Sequence, residues 1–298
     1  MWSPTEPERG EEPGLLRIGT VSVESYTMPG LVPLLDAAHL NLSGRQSTVD
    51  GVISGLLLRA LGTTRPGEIE LIVYDPANLG GTLAAFAPIG LSVVGPGGLG
   101  PMLDDMVEHI CRVNRSVLAG GYASLAELTR HTTGPRPVPW RVVVLLADLA
   151  SVRELTIAQR TQLDRIVRTG VAGGVHLIVR GLDLAPHPTV VRITVRDGVA
   201  FSGLTGDLGI QLDAAPPHDR IIAFCRWTAQ RLRAGPPPAR MVDLEPRGLW
   251  RESSAHGLTA PIGDTTDGTL VEVPLGDDPP HALIGGPSGS GKTNLIYA

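Results

Sequence analysis

Short, nearly unbroken apolar runs alternate along this chain with longer stretches in which apolar residues recur every three or four positions. The runs at 69–74 (IELIVY), 141–147 (RVVVLLA) and 175–179 (VHLIV) are rich in β-branched residues and too short for helices, so they predict buried strands. Helical spacing appears at 47–61, 102–118 and 157–168, and again at 219–233, ahead of a Pro-Pro-Pro stop at 236–238. Within 102–118 the polar residues Asp104, Asp105, Glu108, Arg112 and Arg115 predict a solvated face, as do the charges of 157–168. Strand and helix in this alternation imply an α/β fold, a parallel sheet with helices on both faces.

Composition narrows the class. A chain of 298 residues, 42% hydrophobic, suits a globular protein of one large or two ordinary domains. No window approaches the ~18–20 uninterrupted apolar residues of a membrane span, so none is predicted. Residues 1–14 are acidic and Pro-rich with no apolar core, which predicts a flexible lead-in and not a signal peptide. Cys111 and Cys225 show no C-x-x-C spacing and the histidines no H-x-x-x-H pair, so reduced thiols, no zinc cage and a cytoplasmic location are expected. Any membrane attachment would come from parts outside this chain. A net charge of −5 without a Lys/Arg cluster leaves no broad basic surface for gripping nucleic acid.

One bias is more pointed. Among 24 arginines stands a single lysine, Lys292. It lies in 281–298, H-A-L-I-G-G-P-S-G-S-G-K-T-N-L-I-Y-A, where 282–285 predict a short buried strand. Gly286, Pro287, Ser288, Gly289, Ser290, Gly291, Lys292 and Thr293 then form G-x4-G-K-T. The glycines allow backbone N–H groups to converge on phosphate oxygens. A lysine supplies a compact charge that an arginine fork replaces poorly. The Thr293 hydroxyl is placed to ligand Mg²⁺, and the helix begun by N-L-I-Y-A favours an anion at its start. The motif is therefore read as a Walker A loop for ATP and Mg²⁺. G-P-G-G-L-G at 95–100 follows an apolar run but lacks the Gly-Lys-Thr end, and reads as a plain turn.

An internal repeat places this loop in context. Shifting the chain by 242 residues lays His39-L-N-L-S-Gly44 over His281-A-L-I-G-Gly286. Val-Pro-Leu precedes each (32–34 and 273–275), and an Ile-Gly pair stands earlier still (18–19 and 262–263). Each copy then opens with a strand and a second strand leading to a loop. The first loop, Gly44-R-Q-S-T-V-D-G, carries Asp50 in the column of Lys292 and Val49 in that of Gly291. A carboxylate ~4 Å from a phosphate charge costs several kcal/mol at an effective dielectric near 20, so the first copy should not bind ATP in the usual way.

The strings H-L-N-L-S-G, L-I-V-Y-D-P, V-V-V-L-L-A-D-L and G-V-H-L-I-V together resemble the motor core of FtsK/SpoIIIE-type translocase ATPases, over roughly 15–200 and again 258–298. In that family the third string carries the Walker B acids. Here the corresponding columns, near Val144 and Leu145 or Leu146 and Ala147, are apolar. The family's Thr-Gln sensor after the fourth string is replaced by Arg180-Gly181. The resemblance thus implies a degenerate first motor copy followed by the start of a competent one, a pairing also similar to type VII secretion ATPases. It further implies ATP-driven movement of DNA or protein cargo through a homo-oligomeric ring.

These readings predict a lead-in at 1–14, a degenerate domain at 15–203, a helical and Pro-rich linker at 204–257, and the front of a second domain at 258–298. Trp250, on the approach to the loop, is expected to pack and not to stack on a base. A working motor needs Walker B acids and a water-orienting residue. The residues after Thr293 hold neither, so the chain is expected to be a fragment that does not hydrolyse ATP alone. Two alternatives stand beside the translocase. An ABC-type ATPase shares G-P-S-G-S-G-K, but here the loop comes late and Asn294 stands where a second Ser/Thr is usual. A non-enzymatic docking module would keep the loop as a vestige.

Overall fold

The computed structural model describes residues 14–132, 136–147, 155–234, 257–264 and 270–276. The chain divides into two units, Met1–Leu232 and Arg233–Ala298.

The first unit is built on a ten-stranded sheet. Its parallel half contains β3 (His39–Ser43), β4 (Ile69–Tyr74), β5 (Ser92–Val94), β6 (Trp140–Leu146), β7 (Val175–Arg180) and β8 (Val190–Arg196). The antiparallel half contains β1 (Leu15–Val23), β2 (Tyr26–Pro33), β9 (Val199–Ser202) and β10 (Ile210–Leu212). Across the sheet the order is β2-β1-β10-β9-β8-β3-β7-β6-β4-β5. The expected α/β class stands, with an antiparallel extension beyond the predicted parallel strands. That extension is built partly from strands of three or four residues, too short to show a period in sequence.

Helices cover both faces of the parallel half. On one face α1 (Gln46–Gly62) buries Val49, Ile53, Leu56 and Leu57 against Leu40, Leu42, Val73, Val142, Val144, Leu146 and Ile178. Each such side chain contributes about 1.5–3 kcal/mol on leaving water. On the other face α2 (Leu99–Arg112) and α4 (Ile157–Thr169) cover Ile72, Tyr74, Val143, Leu145, Leu177 and Val179. The two lists alternate along each strand, so parallel strands buried on both sides read as continuous apolar runs. A capping box starts α4: Thr156 accepts from the Gln159 amide, and the Gln159 side chain accepts from the Thr156 amide.

Two differences from the predicted elements have physical causes. The helix expected over 102–118 stays α-helical only to Arg112, then widens into a π turn at Val113–Leu118 closed by Ala119 N–H to Asn114 C=O. The widening turns Val113 and Leu118 onto a separate small core with Leu125 and Leu128 of α3 (Leu125–His131). The segment 204–257 contributes its early part to the first unit: β10 completes the sheet, and α5 (His218–Ala234) sends Ile221, Phe224 and Cys225 into the core beside α1. The Pro-Pro-Pro stop and Trp250 lie outside the described residues.

Buried polar groups tie the strand ends. Asn41 on β3 donates to Leu182 C=O and accepts from Leu184 N–H, fixing the connection from β7 to β8. Fully buried His176 accepts from the Asp36 amide and faces Ala38 C=O through its other nitrogen; His39 accepts from the Leu177 amide. Arg136 clamps Asp36 through two contacts of 2.7 and 2.8 Å and stacks on Trp140.

In the second unit the described part is a hairpin of β11 (Leu258–Asp264) and β12 (Leu270–Leu275).

Candidate functional site

The topology of the first unit marks one place for a ligand. From β3 the chain runs through α1 to β4 on one side, whereas β7 and β8 flank β3 on opposite sides. In open α/β sheets, ligands sit outside the carboxyl ends of the strands at such a switch point. The residues gathered there are Gly44 and Arg45 after β3, Asp75 after β4, Leu146 and Ala147 at the end of β6, and Arg180 at the end of β7.

No phosphate cradle forms from them. Gly44 is retained with φ +143°, where an added Cβ would sit 2.5 Å from the Val195 carbonyl oxygen. After it, Arg-Gln-Ser-Thr-Val contains no further glycine, and α1 begins at once at Gln46. Thr48 N–H and Val49 N–H already donate to Arg45 C=O at 3.1 and 3.0 Å, so they are turned inward along the helix. Asp50 accordingly stands inside α1. Lys292, which shares its column in sequence, lies outside the described residues.

Asp50 has instead found a cation. Arg180 Nε lies 2.9 Å from Asp50 Oδ1, both side chains being largely buried, and the contact is charge to charge without an aligned N–H···O geometry. Arg180 takes the α1 face of the sheet, two residues beyond Ile178, which packs on that same face. Burial raises the Asp50 carboxyl above its ordinary value, Arg180 opposes that rise and Asp75 adds to it. Asp75, on the same face two residues beyond Val73, is fully buried; one oxygen accepts from the Asn78 amide and the other has no partner. Leu146 occupies that face at the end of β6, and Ala147 N–H donates to Arg180 C=O. The apolar columns expected where Walker B acids would stand, Val144 to Ala147, are all buried.

These residues do not fit a nucleotide and its metal. The backbone amides do not converge, a carboxylate stands where phosphate charge would approach, and the end of β6 offers carbon. Among the described residues no group of three His, Cys, Asp or Glu is arranged to hold a metal ion. Cys111 and Cys225 are free thiols, the second raised to about 11 by burial. The Asp50–Arg180 pairing carried no signal in sequence beyond the two departures themselves, since nothing local links α1 to the end of β7.

The Walker A residues Gly286, Pro287, Ser288, Gly289, Ser290, Gly291, Lys292 and Thr293, with the strand expected at 282–285, lie outside the described residues. The hairpin ahead of them is described, and it matches the first hairpin in register. In β1–β2, Leu15 pairs with Pro33, Leu16 with Val32 and Arg17 with Leu31; Ile18 is skipped, and Gly19 pairs with Gly30. In β11–β12, Thr259 pairs with Pro274, Ala260 with Val273 and Pro261 with Glu272; Ile262 is skipped, and Gly263 pairs with Val271. Both bulges fall at the isoleucine of the Ile-Gly pair, and both Val-Pro dipeptides occupy the same rungs. Bulges are placed features of a strand pair, so the repeat read from short strings has a counterpart in backbone pairing.

No protein-family model matches the sequence, and no curated protein does. Solved structures do. EssC (ATPases 2 and 3) from Geobacillus thermodenitrificans aligns with TM-score 0.58 and 16% identity over 100% of this chain and 66% of that one. EccC (ATPases 2 and 3) from Thermomonospora curvata, in complex with a signal sequence peptide, aligns with TM-score 0.55 and 18% identity over 95% of this chain and 60% of that one. The pCW3 conjugation coupling protein TcpA, in its monomer form with ATPγS, aligns with TM-score 0.56 and 13% identity over 75% of each chain. The chain therefore has the fold of the EssC and EccC ATPase domains and of a conjugation coupling protein, in keeping with the FtsK/SpoIIIE-type resemblance. It spans less than two thirds of the length of the EssC and EccC structures it matches. Among the described residues no helix is long and apolar enough to cross a membrane.

Proposed function

We propose that this chain is an ATP-binding segment of an FtsK/SpoIIIE-type translocase, with nucleotide taken by the second unit and a first unit that has lost the chemistry. The observation that carries this reading is the shared hairpin register. It supports taking 281–298 as the counterpart of β3 and the start of α1, so that G-P-S-G-S-G-K-T follows the strand from which a phosphate loop springs. Gly286 to Gly291 would offer backbone amides to the phosphates, Lys292 its ammonium, and Thr293 its hydroxyl to Mg²⁺. The metal would supply charge neutralisation between phosphate oxygens. The complete protein would assemble as a ring and move cargo by hydrolysing ATP.

Protein is the favoured cargo over DNA. The chain's charge is −5 without a basic cluster, and the EccC neighbour is described with a signal sequence peptide. The test of nucleotide binding is chemical unfolding with and without MgATP. Nucleotide at a hundred times its Kd, binding the folded state alone, adds about 2.7 kcal/mol, and Lys292→Ala should remove that increment. A wild-type chain without any increment would leave the docking-module reading in its place.

A further inference from the structure

We propose that Asp50 is a built-in anion of the first unit: its carboxylate takes the place of a bound phosphate against Arg180 and holds the vestigial crevice shut without a ligand. The proposal stands whether or not the second unit binds ATP.

Three observations converge on it. Arg180 is a cation at the end of the strand beside β3, on the face that α1 covers, where an anion at the switch point would be met. The group that meets it is a carboxylate carried on α1 itself, 2.9 Å away, and both side chains are largely withdrawn from solvent. The start of α1 carries no side-chain cap and no acidic residue in its first turn, so Asp50 and not a capping group is the negative charge nearest the crevice from this helix. Phosphate sites in such folds combine a helix start with a cation. Here both remain, and the cation is already occupied from within the chain.

Asp75 sharpens the assignment. It is buried on the same face with one oxygen unpartnered, and its charge acts on Asp50. A crevice with two carboxylates and one guanidinium repels polyphosphate. Removing the Asp50 charge leaves one carboxylate, an unoccupied Arg180 and Arg45 at the helix start. Asp50 thus opposes an anion at the crevice in addition to the loss of the loop's glycines.

The test uses the full chain in a Lys292→Ala background, so that the second unit's loop does not contribute, and inorganic tripolyphosphate as the probe. The parent should show no binding by calorimetry up to millimolar probe. Asp50→Asn should gain binding at least tenfold tighter than that limit, weakened by salt and abolished by adding Arg180→Gln. Hydrogen exchange at 43–50 and 177–182 should rise in Asp50→Asn and fall again when the probe is added. Arg180→Gln alone should raise exchange at the same segments but gain no binding. If Asp50→Asn does not fold, Asp50→Ser serves in its place. A folded Asp50 variant that binds no tripolyphosphate overturns the proposal. So does binding that survives Arg180→Gln.

Discussion

The two hairpins agree far more closely than the two loops that follow them. β1–β2 and β11–β12 agree rung for rung, down to a bulge at the same isoleucine, although few side chains match. The loops behind them share a first glycine and little else. One reads R-Q-S-T-V-D-G, and its residues from Gln46 onward lie in α1; the other reads P-S-G-S-G-K-T. Backbone pairing tolerates many side chains provided the in–out alternation and the bulge persist. A phosphate loop tolerates few, because each glycine and the lysine act individually. A fold can therefore persist where the residues of a phosphate loop do not, and under the proposed function the first unit is such a case.

The largest effect expected from probing this contrast is acid sensitivity of the first unit. His39 and His176 are buried and His109 largely so, and burial lowers them to about 3, about 4 and about 4. In the unfolded chain they protonate near 6.5, so unfolding takes up protons and stability falls as pH drops from about 6.5 toward 4. His176 alone accounts for about 3 kcal/mol over that span. Denaturant midpoints followed by first-unit probes should fall steadily across the window; a flat profile would show that the histidines are not held neutral.

A break in the framework ranks next. A Cβ on Gly19 would lie 2.0 Å from the Gln211 carbonyl oxygen, at the rung where β1 meets β10. Gly19→Val should cost about 3 kcal/mol or more, through overpacking against backbone that has no side chain to yield. Urea unfolding measures it, and a cost below 1 kcal/mol would mean that the hairpin is loosely joined. Arg136→Ala should cost about 2–3 kcal/mol, because it leaves Asp36 beside buried His176 without its bidentate partner. Thr156→Ala is the smallest, about 1 kcal/mol, from the lost cap of α4. An effect as large as that of Gly19→Val would point to a role for Thr156 beyond capping.

Much of the parallel half was legible in the sequence. The apolar runs at 69–74, 141–147 and 175–179 became β4, β6 and β7 within a residue or two, because strands buried on both faces must be apolar throughout. Of the antiparallel extension only the opening strand around Ile18-Gly19 was legible, through the repeat. β9 and β10 span four and three residues; β9 folds straight back on β8 across Asp197-Gly198, whereas the pairing of β10 with β1 joins segments distant in the chain. Of the first unit's crevice, the losses at Asp50, at the end of β6 and at Arg180 were each readable as departures from a pattern. That two of those departures meet as an ion pair was not, since the sequence records no distance between α1 and β7.

The most direct test of the central claim, one site of nucleotide chemistry in a chain with two related units, is the stoichiometry of MgATPγS binding at saturation. One nucleotide per chain is expected in the wild type and none in Lys292→Ala. Two nucleotides per chain, or one that persists in Lys292→Ala, would contradict it.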